Sequence, residues 1–247
     1  MIAVFAYDRP EFLKPCLDSL PGEKEMVHVF IDAVAEQGTM VSDICRDSGF
    51  ACHATDDKMG IGWQRKKAVQ MFLDDQSLGD HFVFCDSDIV FGSGSLELLK
   101  KELGFWWKKG FPVGMLCCGY QLQSTPWLVM KDEGHAIIPA HGGEQIAMLP
   151  RQALEKTGNC VGVGMLGNTA PLKNKLAKVG LPRAILVEPM PNVQHIGAFK
   201  TSLSPQFTPA ELIYRNRSGE PLNPRPDLFD ILPYQTCLSA DIMEKSQ

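Results

Sequence analysis

A mixed α/β protein, with a mostly parallel sheet flanked by helices on both faces, is predicted by three features of the chain. Short apolar runs at 1–7, 27–34, 49–55 and 82–91 have the length of strands. The stretches between them place apolar residues at helical spacing, as in Phe12, Leu13, Cys16, Leu17 and Leu20. Strand and helix then alternate in order, and alternation of that kind builds parallel strands covered by crossover helices.

Taken in order, MIAVFAY (1–7) is the first strand, and RPEFLKPCLDSL is a helix that ProGly at 21 and 22 ends. VHVFIDAV (27–34) is a second strand broken by Asp32, residues 37 to 48 hold a second helix, and GFACHAT (49–55) is the third strand. MGIGWQRKKAVQMFLDD puts two glycines ahead of an amphipathic helix, and HFVFCDSDIVF is the fourth strand. SLELLKKELGFWWKKG reads as a helix, and PVGMLCCGYQL and TPWLVM read as strands of a smaller antiparallel extension. HGGEQIAMLPRQALEKTG supplies a further strand and helix, PLKNKLAKVGL a helix and RAILVEP a late strand. From about residue 200, prolines at 205, 209, 221, 224, 226 and 233 predict an irregular tail or lid. The expected organisation is one domain over 1–200 followed by the tail at 201–247.

Composition narrows the function. The 247 residues are 45% hydrophobic and 21% charged, an ordinary globular balance, and a formal net charge of −5 offers no overall footprint for a polyanion. The eight cysteines form no CxxC pair and several sit inside apolar runs, as reduced thiols do, so a cytoplasmic protein is expected. No apolar run is long enough to span a bilayer, so no membrane span is expected.

The chemistry concentrates in FCDSDIVF, where Asp86 and Asp88 interrupt apolar sequence. In a parallel α/β sheet, ligands bind where loops leave the carboxyl ends of the strands. Strand alternation puts Asp86 and Asp88 on one side with Ser87 opposite, and two close carboxylates call for a cation between or beside them. Mg²⁺ or Mn²⁺ with substrate phosphates is the natural partner. Tyr7, Asp8 and Arg9 follow the first strand, Asp32 the second, and Asp56 and Asp57 the third, so polar groups line one sheet edge. Arg9, Arg65 and Lys66 suit phosphate oxygens, Asp32 suits a base or ribose, and Gly60 lets a ligand approach the backbone.

These residues resemble the nucleotide-sugar-dependent glycosyltransferases of the GT-A fold, family 2-like group. The likeness rests on VFAYDRPEFLKPCLDSL, Asp32, MGIGWQRKKAV and FCDSDIVF, continues in GGEQIAMLPRQALEKTG and PNVQHIG, and covers residues 1 to 200. It implies a GT-A-like (Rossmann-like) fold and a nucleoside-diphosphate-sugar donor, UDP favoured, with the acceptor unidentified: a saccharide, protein, lipid or modified nucleobase. By the same resemblance Asp32 would contact the base, Asp8 or the backbone at Tyr7 the uracil or ribose, Asp86 the ribose or a metal-bound water, and Asp88 the metal. His195 would be a further metal or phosphate ligand, favouring manganese, or else a hydrogen-bonded histidine at a strand end.

One departure stands out. Where the family carries acid before a late helix, this chain has Gly167 and Asn168, and an amide cannot act as a general base. Glu144 is the first candidate for that role, with Asp132 and Glu133 behind it; a retaining transferase or an inactive binding module would need none. A phosphatase of the haloacid dehalogenase type would carry its DxD on the first strand, and a nucleotidyltransferase would carry a glycine-rich basic signature after it, where this chain has DRPEF.

Overall fold

The structure, a computed structural model, describes residues 1–6, 9–20, 23–32, 35–55, 59–118, 130–139, 146–163, 169–189, 191–195, 213–215 and 221–224. Its first half follows the expected alternation. Strand β1 (Ile2–Ala6) leads to helix α1 (Pro10–Ser19), β2 (Val27–Ile31) to α2 (Ala35–Ser48), β3 (Ala51–Ala54) to α3 (Ile61–Asp74), and the chain then enters β4 (His81–Asp86). Strand β5 (Ile89–Phe91), helix α4 (Ser95–Lys108), β6 (Met115–Cys118), β7 (Met130–Asp132), β8 (His135–Pro139), β9 (Ile146–Pro150), α5 (Arg151–Thr157), α6 (Ala170–Lys178), β10 (Arg183–Glu188) and β11 (Val193–His195) follow.

Nine strands make one sheet in the order β3-β2-β1-β4-β9-β6-β10-β8-β7. The pairs β2–β3, β1–β2, β1–β4 and β6–β10 are parallel, while β9 and β8 run against their neighbours. The two faces are buried by different helices. On one, Val4, Val29, Val83, Cys85, Met148 and Leu116 pack with Leu13 and Leu17 of α1, Cys45 of α2 and Leu99 and Trp106 of α4. On the other, Phe5, Phe30, Phe82, Phe84, Leu149 and Ile185 pack with Val69 and Phe72 of α3, Leu154 of α5 and Leu176 of α6. Residues that alternate along each strand therefore feed two cores, which is why the strand sequences read as continuous apolar runs.

Two expectations need correction. The antiparallel strands are not all in an appended extension, because β9 lies inside the sheet between β4 and β6. IAMLP is apolar and buried throughout, with Ile146 and Met148 in one core and Ala147 and Leu149 in the other, as a two-sided central strand requires. HFVFCDSDIVF is not one strand: β4 ends at Asp86, Ser87 and Asp88 make a turn, and β5 pairs antiparallel with β11 in a separate two-stranded sheet. The parallel ladder with β1 ends at Phe5 opposite Asp86, while β1 itself continues to Ala6 against β2. Within the expected irregular tail, β12 (Ile213–Arg215) and β13 (Pro221–Pro224) pair antiparallel.

Buried polar groups tie these layers together. Glu102 of α4 is fully buried, and His135 Nδ1 lies 2.9 Å from both its oxygens while the imidazole stacks on Phe105, which anchors the β7–β8 hairpin to α4. Arg151 donates to the carbonyls of Phe72, Asp75 and Gly79 and thereby caps the carboxyl end of α3. Trp106 is wholly inside the core, and Trp107 Nε1 donates to the Val113 carbonyl at 2.8 Å. The seven cysteines among the described residues are free thiols.

Gly114 is required by close approach: a Cβ there would lie 2.5 Å from the Leu181 carbonyl oxygen and 2.9 Å from Leu176 Cδ2. A backbone carbonyl cannot yield as a side chain can. Gly114→Ala is expected to lower stability by about 2–3 kcal/mol in urea unfolding. Gly104→Ala, on α4 with open space around it, is expected to raise stability by about 0.5–1 kcal/mol.

His28 and His53 face each other across β2 and β3, with Nδ1 and Nε2 3.0 Å apart, and His53 also stacks on Phe30. Burial, then the neighbouring His28 and Lys67 charges, push the His53 pKa down to about 4. An unfolded histidine takes its proton near pH 6.5, so between about pH 6.5 and 4 the unfolded chain binds more protons. Stability should therefore fall as pH drops through that window. His53→Phe should flatten the dependence measured by thermal unfolding, and an unchanged slope would refute this account.

Candidate functional site

Strands β1 to β4 are parallel, so their carboxyl ends share one edge. From β1 the chain steps outward to β2 and β3 with α1 and α2 on one face, then crosses by α3 on the other face to place β4 on the far side of β1. That reversal of direction opens a crevice between the ends of β1 and β4, the usual ligand position in such sheets. Arg9 leaves β1 at this edge, Asp86 and Asp88 leave β4, Asp32 leaves β2, and α3 begins here after β3.

The two aspartates are each held by a different arginine. Arg9 Nη2 donates to Asp88 Oδ2 at 2.7 Å, with the Asp88 side chain 2% exposed and that of Arg9 25% exposed. Arg65 Nη2 donates to Asp86 Oδ1 at 3.2 Å. Carboxylates this close on one turn need positive charge beside them, and the guanidinium groups supply it. Arg65 is buried because its plane rests over Phe5 and Phe84, 5.6 and 5.7 Å from the ring centroids. Arg9 is the residue before α1, where Pro10 starts the helix and the Arg9 side chain makes no capping bond, so the guanidinium is directed to Asp88 instead.

Asp32 is buried, and its Oδ1 accepts from the backbone N–H groups of Met59 and Gly60 at 2.8 and 2.9 Å. It thereby sets the start of α3. Gly60 sits at φ 89°, ψ 151°, a conformation that is essentially confined to glycine, and no side chain caps the helix. The first turn of α3 thus presents backbone N–H groups at the crevice edge. Gln64 ties two strand ends together, donating to the Ile31 carbonyl at 2.8 Å and to Thr55 Oγ1 at 3.2 Å.

The structure thus brings Arg9, Asp32, Gly60, Arg65, Asp86 and Asp88 to one edge. Lys66 is exposed on the next position of α3, and its carbonyl accepts from Asn159. Tyr7, Asp8 and Glu144 lie outside the described residues. Residue 144 is nonetheless two positions before Ile146, which pairs with Cys85 beside Asp86. The backbone of His195 pairs with Ile89, the neighbour of Asp88. Asp132 and Glu133 sit on the hairpin at the far sheet edge, 2.8 and 3.1 Å from Lys109 Nζ. Gln64 and the Phe5–Phe84 platform were not identified from sequence, because a glutamine in a helix and phenylalanines in strands carry no spacing signal of their own.

Oxygen donors from Asp86 and Asp88 are of the kind a hard divalent cation takes, and in this structure guanidinium groups neutralise both carboxylates. Among the described residues no three His, Cys, Asp or Glu side chains converge in a metal-binding group. A metal here would therefore take its remaining ligands from elsewhere, substrate oxygens included. Also among the described residues, no helix is long and apolar enough to cross a membrane.

The buried pair sets a measurable stability. Arg65→Met, which strands Asp86, is expected to cost about 2–3 kcal/mol, and adding Asp86→Asn to recover at least about 1 kcal/mol of it. By contrast, breaking the exposed Lys14–Asp18 pair on α1 should change stability by less than about 0.5 kcal/mol. Equal costs for the two pairs in denaturant unfolding would contradict the burial argument.

No protein-family model matches the chain, and no characterised protein matches it in sequence. Among solved structures, the chain is similar to the crystal structure of A197 from STIV, at 14% sequence identity and a TM-score of 0.42, over 75% of this chain and 81% of that one. That likeness is too distant to carry an activity, a ligand or a family across, and the site stands on its own residues.

Proposed function

We propose that the chain is a glycosyltransferase that takes a sugar from a nucleoside-diphosphate donor, UDP-sugar favoured, bound in the crevice between β1 and β4. The observation that carries this reading is the pairing of Arg9 with Asp88 and of Arg65 with Asp86 at a topological switch point. A diphosphate has the charge and oxygen spacing to engage both guanidinium groups. Carboxylates freed from them would be left facing the same ligand. Residues 1–200 form the catalytic unit in this reading, and 201–247 bear on the acceptor.

Each residue at the edge has a distinct task. Arg65, fixed over two rings, holds a phosphate oxygen in place, and Arg9 approaches from the opposite side of the crevice. The N–H groups set by Asp32 and Gly60 add fixed dipoles near the developing charge of the leaving diphosphate. Asp32 also reaches the base and Asp86 the ribose, with the backbone at Tyr7 and Asp8 alongside and Lys66 at the rim. Asp88, with Asp86 and His195 beside it, would hold Mn²⁺ or Mg²⁺, which when bound supplies Lewis-acid stabilisation of the departing phosphate. Deprotonation of the acceptor hydroxyl falls to Glu144, because β9 enters the sheet next to β4 whereas Asp132 and Glu133 are engaged by Lys109 at the far edge.

A second reading is favoured by the same ion pairs: they satisfy the aspartates internally, so the crevice could be a binding module without transfer, in keeping with Gly167 and Asn168 in place of acid. Thermal unfolding with UDP or GDP, with and without Mn²⁺, separates the readings. A nucleotide bound to the native state at 100-fold excess over its Kd should raise the midpoint by about 5–10 °C for a chain of this size. The expected result is a Mn²⁺-dependent rise with UDP that Asp88→Ala abolishes, together with release of UDP from a UDP-sugar. Binding without release supports the module, and no rise with any nucleotide removes the donor site.

A further inference from the structure

We propose that Cys52 and Cys45 form a peroxide-oxidisable thiol pair, in which the exposed Cys52 attacks the oxidant and the buried Cys45 then closes a disulfide with it. The site lies on the outer strand β3 and does not rest on the donor-site reading above.

The fold sets the two thiols against each other. Cys52 pairs in register with Val29 of β2, so its side chain lies on the α2 face of the sheet, where Val29 and Cys45 share a core. Ser42 and Cys45 are three residues apart on α2, hence on one face of the helix, and both hydrogen-bond to the Cys52 sulfur. Between the two cysteines the chain folds straight back: α2 ends at Ser48, Gly49 takes φ 74°, and the Phe50 N–H donates to the Cys45 carbonyl at 3.0 Å. Thiols already in contact are what a disulfide needs. Because β3 is the outermost strand, Cys52 is open to solvent, while Cys45 is wholly buried.

The electrostatics assign the two roles. The hydrogen bond from Cys45 outweighs the opposing effect of partial burial and, with a further one from Ser42, brings the Cys52 pKa down to about 7. Cys45 is pushed the other way, first because its proton is held against Cys52 and then by burial. The thiolate therefore forms at the accessible position, where a nucleophile meets peroxide. Its attack makes an S–O bond and breaks the O–O bond, leaving the Cys52 sulfenic acid and a hydroxide that takes up a proton to become water. Once Cys52 no longer carries charge, nothing holds the Cys45 proton in place. The Cys45 sulfur then attacks the Cys52 sulfur, the S–O bond breaks, and its proton leaves with the oxygen as a second water. The two thiols lose two electrons in all, and one peroxide is reduced to two waters. The other described thiols lack one requirement or the other. Cys16 and Cys85 are hydrogen-bonded but both buried, and the half-buried Cys160 faces Lys175 Nζ at 3.4 Å.

The test uses the folded, full-length chain. Reduced protein is treated with hydrogen peroxide, remaining thiols are blocked with N-ethylmaleimide, and unreduced peptides are mapped by mass spectrometry. The expected result is a Cys45–Cys52 link within one chain, with loss of two hydrogens and reversal by dithiothreitol. Cys52→Ser, a change at an exposed position, should abolish the link and leave Cys45 a free thiol. Cys45→Ala should halt the reaction at the Cys52 sulfenic acid, which dimedone captures. If that core variant does not fold, a time course on the wild type should trap the same intermediate before the link appears. Oxidation of wild-type Cys52 that stops at sulfenic or sulfinic acid, with Cys45 still free, would overturn the pair. So would a link from Cys52 to another cysteine or a second chain, or a Cys52 left reduced at peroxide levels that oxidise Cys160.

Discussion

A carboxylate withdrawn from water must be given a positive partner, and the carboxyl edge of this sheet is organised around that requirement. Asp88 is nearly inaccessible and Asp86 closes a central strand, so Arg9 and Arg65 are part of the fold before they are part of any function. Further contacts follow from them. Arg65 can be buried only because Phe5 and Phe84 lie beneath it, and those rings are where they are because β1 and β4 are adjacent and in register. The start of α3, which carries Arg65, is in turn set by Asp32 through the N–H groups of Met59 and Gly60.

In the proposed function, the groups that stabilise the edge also form the binding surface. Guanidinium and carboxylate are paired with each other here, and each belongs to a chemical class that also pairs with ligands, guanidinium with phosphate oxygen and carboxylate with a hard cation. The pairs are not equivalent. Arg65 lies buried over two aromatic rings, whereas a quarter of the Arg9 side chain is exposed.

The position of the crevice is a consequence of topology. Strands β2 and β3 lie to one side of β1 and β4 to the other, and the helices change face at the same step. Strand β9 then inserts antiparallel beside β4, with its first residue, Ile146, opposite Cys85. The β7–β8 hairpin, with its own ion pairs to Lys109, is held at the opposite end of the sheet by the buried Glu102–His135 pair.

Much of this was legible in the chain. The alternation of apolar strand and amphipathic helix through residue 91 follows from local periodicity, and the boundaries of β1, β2, β3 and α3 fall within a few residues of those expected. Asp32, Asp86 and Asp88 were recognisable because charged residues that follow apolar runs mark strand ends. The rest depended on partners remote in sequence. Nothing local distinguishes β9, an apolar pentad like the others, as an antiparallel insert, since pairing direction is set by which neighbour it meets. FCDSDIVF reads as one strand until the ladder between β1 and β4 is seen to end at Phe5 opposite Asp86, and the identity of each aspartate's counter-cation joins residues 79 and 21 positions apart. By itself the sequence determined the element types, the two-faced burial and the acidic edge, because these depend on near neighbours and hydrophobic period. Only the tertiary structure decided which charges meet, because that depends on the order in which strands are laid beside one another.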